Sequence, residues 1–178
     1  MNRVLTEEYI KSKTKKDKLE NIRTLNLKQC NIENITILSS LCNIKILCLN
    51  DNYIKTLSPF NKTTNIEELY IRNNLIEQMK EIDYLKNCKR LRVLCIKENP
   101  IENIDDYQYI IINKLPQLEV LDDISISSDG KDNIFKDGLN VPSNIVRSVM
   151  LLMEDLDNTQ VNFIRNVVNR KIAELKEK

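Results

Sequence analysis

Few residue types in this chain can do chemistry, and their spacing narrows the choice further. The 178 residues contain no His. That removes Ser-His-Asp and Cys-His nucleophilic sites, imidazole-ligated metals and imidazole pH switching. The five cysteines are Cys30, Cys42, Cys48, Cys88 and Cys95. None forms a C-x-x-C pair and five is odd, so free thiols in a reducing compartment, the cytoplasm, are expected. Cys48 and Cys95 have no His and no acidic third ligand, which makes them a poor metal pair. Asp105, Asp106, Asp122 and Asp123 are paired carboxylates, but they stand at turn and cap positions. Two glycines supply neither a P-loop nor a dinucleotide fingerprint. Nothing assembles a nucleophile, a base and an oxyanion site, so the expectation is a non-enzyme with no cofactor and no metal.

The charges point the same way. Lys and Arg total 27 against 26 Asp and Glu, a net charge of +1. Such a balance does not attract nucleic acid or an anionic membrane by bulk charge, and neither is expected as a partner. Lys11, Lys13, Lys15, Lys16 and Lys18 form a basic run that could touch a phosphate backbone or a tubulin tail; a solvated helix face is the better reading. The apolar runs are too short to span a bilayer. The first ten residues lack the apolar core of a signal peptide.

What remains is binding, and the elements that would position a binding surface are periodic. Ile22-x-x-Leu25-x-Leu27-x-x-Cys30-x-Ile32 is followed in register by Ile44-x-x-Leu47-x-Leu49-x-x-Asn52-x-Ile54. Ile66-x-x-Leu69-x-Ile71-x-x-Asn74-x-Ile76 and Leu91-x-x-Leu94-x-Ile96-x-x-Asn99-x-Ile101 complete the series. The starts are spaced by 22, 22 and 25 residues. This is the leucine-rich-repeat pattern. Each repeat should form a short strand with its Leu residues inward and the intervening residues outward. Asn52, Asn74 and Asn99, with Cys30 in the first repeat, stand where the chain leaves the strand, and the amides should satisfy backbone groups there. The fold class is therefore α/β, a short solenoid whose ends need caps. Thr6 before Glu7 and Glu8 is a helix N-cap. A basic amphipathic helix from about Thr6 to Leu19 should cover the first repeat. Tyr107 through Leu115 reads as a second capping helix ended by Pro116, followed by a last short strand.

The first domain should span residues 1–123, the linker 124–141 and a helical module 142–178. Both glycines, Gly130 and Gly138, fall in the linker. Two amphipathic helices should follow, the second opened by a capping box at Asp157-Asn-Thr-Gln160. They carry more apolar stripe than a hairpin can bury. Leaving Val146, Met150, Met153, Phe163 and Val167 wet forgoes roughly 7–15 kcal/mol at about 1.5–3 per side chain. Self-association into a helical bundle, with a tetramer suspected, is the expected solution. Val149, Leu152, Met153, Leu156, Phe163, Ile164, Val168 and Ile172 are its candidate contacts.

The outward strand residues define the candidate partner surface on the concave face. Ile46, Cys48, Tyr70, Val93 and Cys95 read as an apolar strip, and Lys28, Arg72 and Lys97 as a basic column beside it. An apolar centre with a charged border suits a protein partner.

The post-Asn Ile and the Tyr107 to Leu115-Pro116-x-Leu118-x-x-Leu121-Asp122 cap resemble those of phosphatase-regulator and splicing-factor leucine-rich-repeat proteins. Glu68-Leu-Tyr-Ile-Arg72, Tyr84-Leu-Lys86, Arg90-Leu-Arg-Val-Leu94 with Glu98-Asn-Pro100, and the tail around Met153-Glu-Asp-Leu-Asp157 resemble the cilia- and flagella-associated protein 410 family more closely. That resemblance implies a scaffold at the basal body or flagellar base, needed for cilium or flagellum assembly. It also implies a NIMA-related kinase as partner and an oligomerising helical tail. The alternative is a leucine-rich-repeat subunit of a ribonucleoprotein or phosphatase complex.

Overall fold

The structure, a computed structural model, describes residues 4–126. Six short strands form one sheet in sequence order: β1 (Thr24–Asn26), β2 (Ile46–Cys48), β3 (Glu68–Tyr70), β4 (Val93–Cys95), β5 (Val120–Leu121) and β6 (Ile124–Ser125). The first five run parallel, and β6 turns back antiparallel on β5. The sheet thus continues two residues past 123. The register stacks one inward leucine per strand: Leu25, Leu47, Leu69, Leu94 and Leu121. All five are buried.

The return half of each repeat follows from a period of three. Ile35, Leu38 and Leu41 recur as Leu57, Phe60 and Thr63, then as Ile82, Leu85 and Cys88, and every one of the nine is at most 1% exposed. A 3-10 helix has three residues per turn, so positions three apart lie on one line and all face the core. The backbone obliges with i to i+3 bonds: Leu38 N–H to Ile35 O at 2.9 Å, Phe60 N–H to Leu57 O at 2.9 Å and Cys88 N–H to Leu85 O at 2.9 Å. Polar atoms that enter this core are tied down. Thr63 donates its hydroxyl to Leu38 O at 3.3 Å, and Glu81 Oε2 accepts from Thr56 Oγ1 and Leu57 N–H, each at 2.8 Å.

The asparagines do more than the sequence pattern suggests. Each serves its own turn and the one before it. Asn52 Oδ1 accepts from Cys30 N–H at 3.2 Å and Ile32 N–H at 2.9 Å, while its Nδ2 donates to Leu27 O and Leu49 O. Asn74 bonds Ile54 N–H, Leu49 O and Ile71 O in the same way. Asn99 takes Ile76 N–H, Ile71 O and Ile96 O. In the fifth turn Asp122, fully buried, accepts from Ile96 N–H at 2.7 Å and Lys97 N–H at 3.0 Å. Its other oxygen accepts from the Tyr107 hydroxyl at 2.9 Å. Burial and that carboxylate push the Tyr107 phenol well above its ordinary pKa.

The caps are α1 (Glu7–Thr14) and α2 (Tyr107–Lys114). Thr6 caps α1 by accepting from Tyr9 N–H at 3.3 Å. The helix is shorter than the expected span to Leu19. Lys15 turns left-handed at φ 54° and its N–H closes on Lys11 O, which ends the helix; Leu19–Asn21 then form a 3-10 turn. This eight-residue helix buries Ile10 completely, and the apolar residues after it belong to the first repeat. At the other end Lys114 and Lys86 both pair with Asp83, at 2.7 Å and 2.8 Å, tying α2 to the adjacent 3-10 segment. The two Lys partners hold the Asp83 carboxyl below its usual pKa.

Candidate functional site

The outward residues of the sheet lie in rows fixed by the parallel register. One row is Thr24, Ile46, Glu68, Val93 and Val120; the next is Asn26, Cys48, Tyr70 and Cys95. Ile46, Cys48, Tyr70 and Val93 are half-buried and accessible from the sheet face. The structure changes the expected strip in two ways. Cys95 is only 5% exposed and offers a partner almost no surface. Its thiol is pushed up in pKa by that burial and by Asp122 and Asp123. Glu68 also separates Ile46 from Val93, and it is not idle there: Tyr70 donates its hydroxyl to Glu68 Oε2 at 2.7 Å. That bond, with burial, pushes the Tyr70 phenol up to about 12. The patch is therefore apolar around a polar pair. Val120 extends it beyond Val93, a residue that the repeat register of Leu118 and Leu121 makes legible in hindsight.

The basic column is not free charge. Lys28 pairs with Asp51 at 3.4 Å, Arg72 with Glu98, and Lys97 with Asp123 at 3.4 Å. Each acid lies one repeat after its cation, so the column is a stripe of ion pairs. Asn73 donates to Asp51 at 2.9 Å, and this bond with the Lys28 charge lowers the Asp51 pKa. Arg72 does the same for Glu98. The acids occupy a special backbone position. Gln29, Asp51, Asn73, Glu98 and Asp123 all have φ between 53° and 68°. They precede the inward residue of each turn or, at the last turn, follow it. The sequence signal was a polar residue recurring at the repeat spacing, next to the residue that reaches into the core.

Elsewhere the cysteines are all free thiols, with Cys88 pushed up to about 11 by burial. Among the described residues no three Cys, Asp or Glu converge as metal ligands, and no helix is long and apolar enough to cross a membrane. Val149, Leu152, Met153, Leu156, Phe163, Ile164, Val168 and Ile172 lie outside the described residues, as do residues 127–141 of the linker expected at 124–141.

A parallel sheet of Leu-lined strands, an Asn ladder and 3-10 returns define a leucine-rich-repeat protein. The chain belongs to the leucine-rich repeat family, which it matches over residues 11–136. It is similar to an uncharacterized Caenorhabditis elegans protein, 34% identical over 137 residues that cover 76% of this chain and 30% of that one. It is also similar to cilia- and flagella-associated protein 410 of Homo sapiens, 29% identical over 136 residues, or 75% of this chain and 53% of that one. The chain thus matches about a third and about half of the lengths of these curated relatives. Among solved structures it resembles a chain of the Drosophila melanogaster SNF/U2A′ complex, with a TM-score of 0.56, 19% identity, and coverage of 81% of this chain and 98% of that one. It resembles the Listeria monocytogenes internalin InlF with a TM-score of 0.51, 24% identity, and coverage of 64% and 41%. At these identities the structural likenesses speak for the fold.

Proposed function

We propose that this chain is a non-catalytic scaffold that holds a protein client on the exposed face of its sheet, at the basal body or flagellar base. The observation that carries the reading is the patch formed by Ile46, Cys48, Tyr70, Val93 and Val120 around the Glu68–Tyr70 hydrogen bond. It offers apolar area for burial together with a polar centre that fixes orientation, flanked by a charge-paired stripe. Because Arg72 and Lys97 already have acid partners, they border the client surface and contribute less to affinity than the patch. The ciliary setting is supported by the similarity to cilia- and flagella-associated protein 410; the proposed client is a kinase of the NIMA-related class. Self-association through the apolar stripes of residues 142–178 would multiply the face and raise avidity without a new contact. The molar mass of the full chain by light scattering checks that part.

Tyr70→Ala is the direct test. It removes the central ring and one end of the polar pair while leaving the inward Leu69 in place. Client recovery from lysate of flagellated cells should drop to background while the melting profile stays cooperative. Undiminished recovery would remove the face from the proposal. A tagged copy should form puncta at basal bodies; a diffuse nuclear signal would instead promote the ribonucleoprotein reading.

A further inference from the structure

The open end of the sheet carries a second surface, distinct from its face. In this solenoid, backbone groups alternate in direction along each strand. Lys45 O and Leu49 N–H of the second repeat bond forward to the third, at Glu67 and Glu68 N–H and at Tyr70 O; Ile46 N–H and Asn50 O bond back to the first, at Arg23 O and Gln29 N–H. Applied to the first repeat, the same alternation turns the N–H and C=O of Thr24 and Asn26 away from β2. There is no earlier strand to receive them, and among the described residues none of these four groups has a backbone partner. Lys28 N–H is already taken by the Asn26 side chain at 3.0 Å, which limits the open edge to Thr24 and Asn26. An edge of this kind is a template for an added strand.

The end of α1 does not close over that edge. A groove of about 520 Å³ runs between them, and its lining includes Lys13, Thr14, Lys16, Asn21, Arg23 and Thr24. No carboxylate lines it. Unlike the stripe on the sheet face, its cations are uncompensated. Lys13 lies 5.6 Å from the Tyr9 ring, Arg23 reaches only the Glu20 carbonyl at 2.7 Å, and neither they nor Lys16 has an acid partner among the described residues.

We propose that this groove binds an extended acidic segment of a partner protein, which adds as a strand to the free edge of β1. The backbone of Thr24 and Asn26 supplies the strand hydrogen bonds, and Lys13, Lys16 and Arg23 select carboxylate side chains. The occupant is independent of the client on the sheet face.

The test uses the full chain and a short fluorescein-labelled peptide of alternating Glu and Thr, read by fluorescence anisotropy. Lys13→Glu with Lys16→Glu, both on exposed or loop-facing positions, should weaken binding by about tenfold or more. Arg23→Glu alone should weaken it less. The same peptide with alternate backbone amides N-methylated should bind as poorly as the charge-reversed protein measures, because it cannot complete the ladder. Tyr70→Ala should leave peptide affinity unchanged. Equal binding of the methylated peptide would reduce the effect to simple charge attraction and overturn the strand addition. Equal binding of an alternating Lys and Thr peptide would overturn the acidic selectivity. Loss of peptide binding in Tyr70→Ala would place the peptide on the face and overturn the edge site.

Discussion

The two ends of the solenoid are built on opposite terms. At the C-terminal end α2 covers the core, the antiparallel β6 pairs with β5, and the buried Asp122 takes the Ile96 and Lys97 N–H groups of the last full repeat. At the N-terminal end a short helix shields the apolar core and leaves the strand edge open. The asymmetry follows from the direction in which the turns help each other. Every Asn reaches back one repeat, so the last repeat needs a residue after it to accept from its backbone N–H groups, and the first has nothing before it to serve. Asp122 fills the first need. Cys30 stands at the Asn position of the first repeat, where no earlier turn demands an amide, and its Sγ makes only a 3.4 Å contact with Lys28 O and another with the Tyr9 hydroxyl.

This comparison breaks or sharpens under substitution. The largest effect is expected from Asn74→Ala in the interior. It strands Ile54 N–H and takes from the Leu49 and Ile71 carbonyls one of their two Asn donors, and should cost roughly 3 kcal/mol by urea unfolding. A loss as small as that of a surface change would mean the ladder is ornamental. Next comes Tyr107→Phe at the closed end, which leaves one Asp122 oxygen without its donor and should cost about 2 kcal/mol. Its pH dependence has a definite sign. The folded phenol titrates above its ordinary value of 10.0, so its contribution is full below that pH and is lost as pH rises through the folded value. Tyr107→Phe should therefore flatten the alkaline loss of stability expected of the parent chain; an identical alkaline profile would rule out this residue as its source. The smallest effect belongs to the open end. Cys30→Ala should change stability by about 0.5 kcal/mol or less, measured side by side with Asn74→Ala. If the two matched, the one-way dependence of the turns would be wrong.

The fold was legible because its core is written twice, once in the Leu and Ile positions of the strands and once in the Asn that follows them. The repeat pattern, spaced by 22, 22 and 25 residues, placed all four turns, and Thr6 and Pro116 marked the caps. The end of α1 escaped because no Gly or Pro marks it: Lys15 takes a left-handed conformation that its residue type does not announce. The partner face was legible as a set of outward positions but not as a surface. Period-two alternation tells which side a residue faces, not what its cross-strand neighbours do. Glu68 and Tyr70 are two apart in the chain and meet only because both side chains rise from the same face of β3. Cys95 shares that face and is nevertheless covered. The ion-pair stripe needed contacts between residues a full repeat apart, such as Lys28 with Asp51, which no local pattern supplies.

The left-handed row has one more consequence. Gly is the residue most at ease at such φ values, yet both glycines of this chain lie elsewhere and Asp51, Glu98 and Asp123 stand in the row at a strain of about 1 kcal/mol each. A glycine would relax the bend and say nothing. A carboxylate there spends conformational comfort on information: one atom group both shapes the corner and dictates which cation may stand one repeat behind it. The row thereby works as a gauge of alignment, since a repeat that slipped by a single residue would bring a left-handed corner and its charge opposite the wrong neighbour.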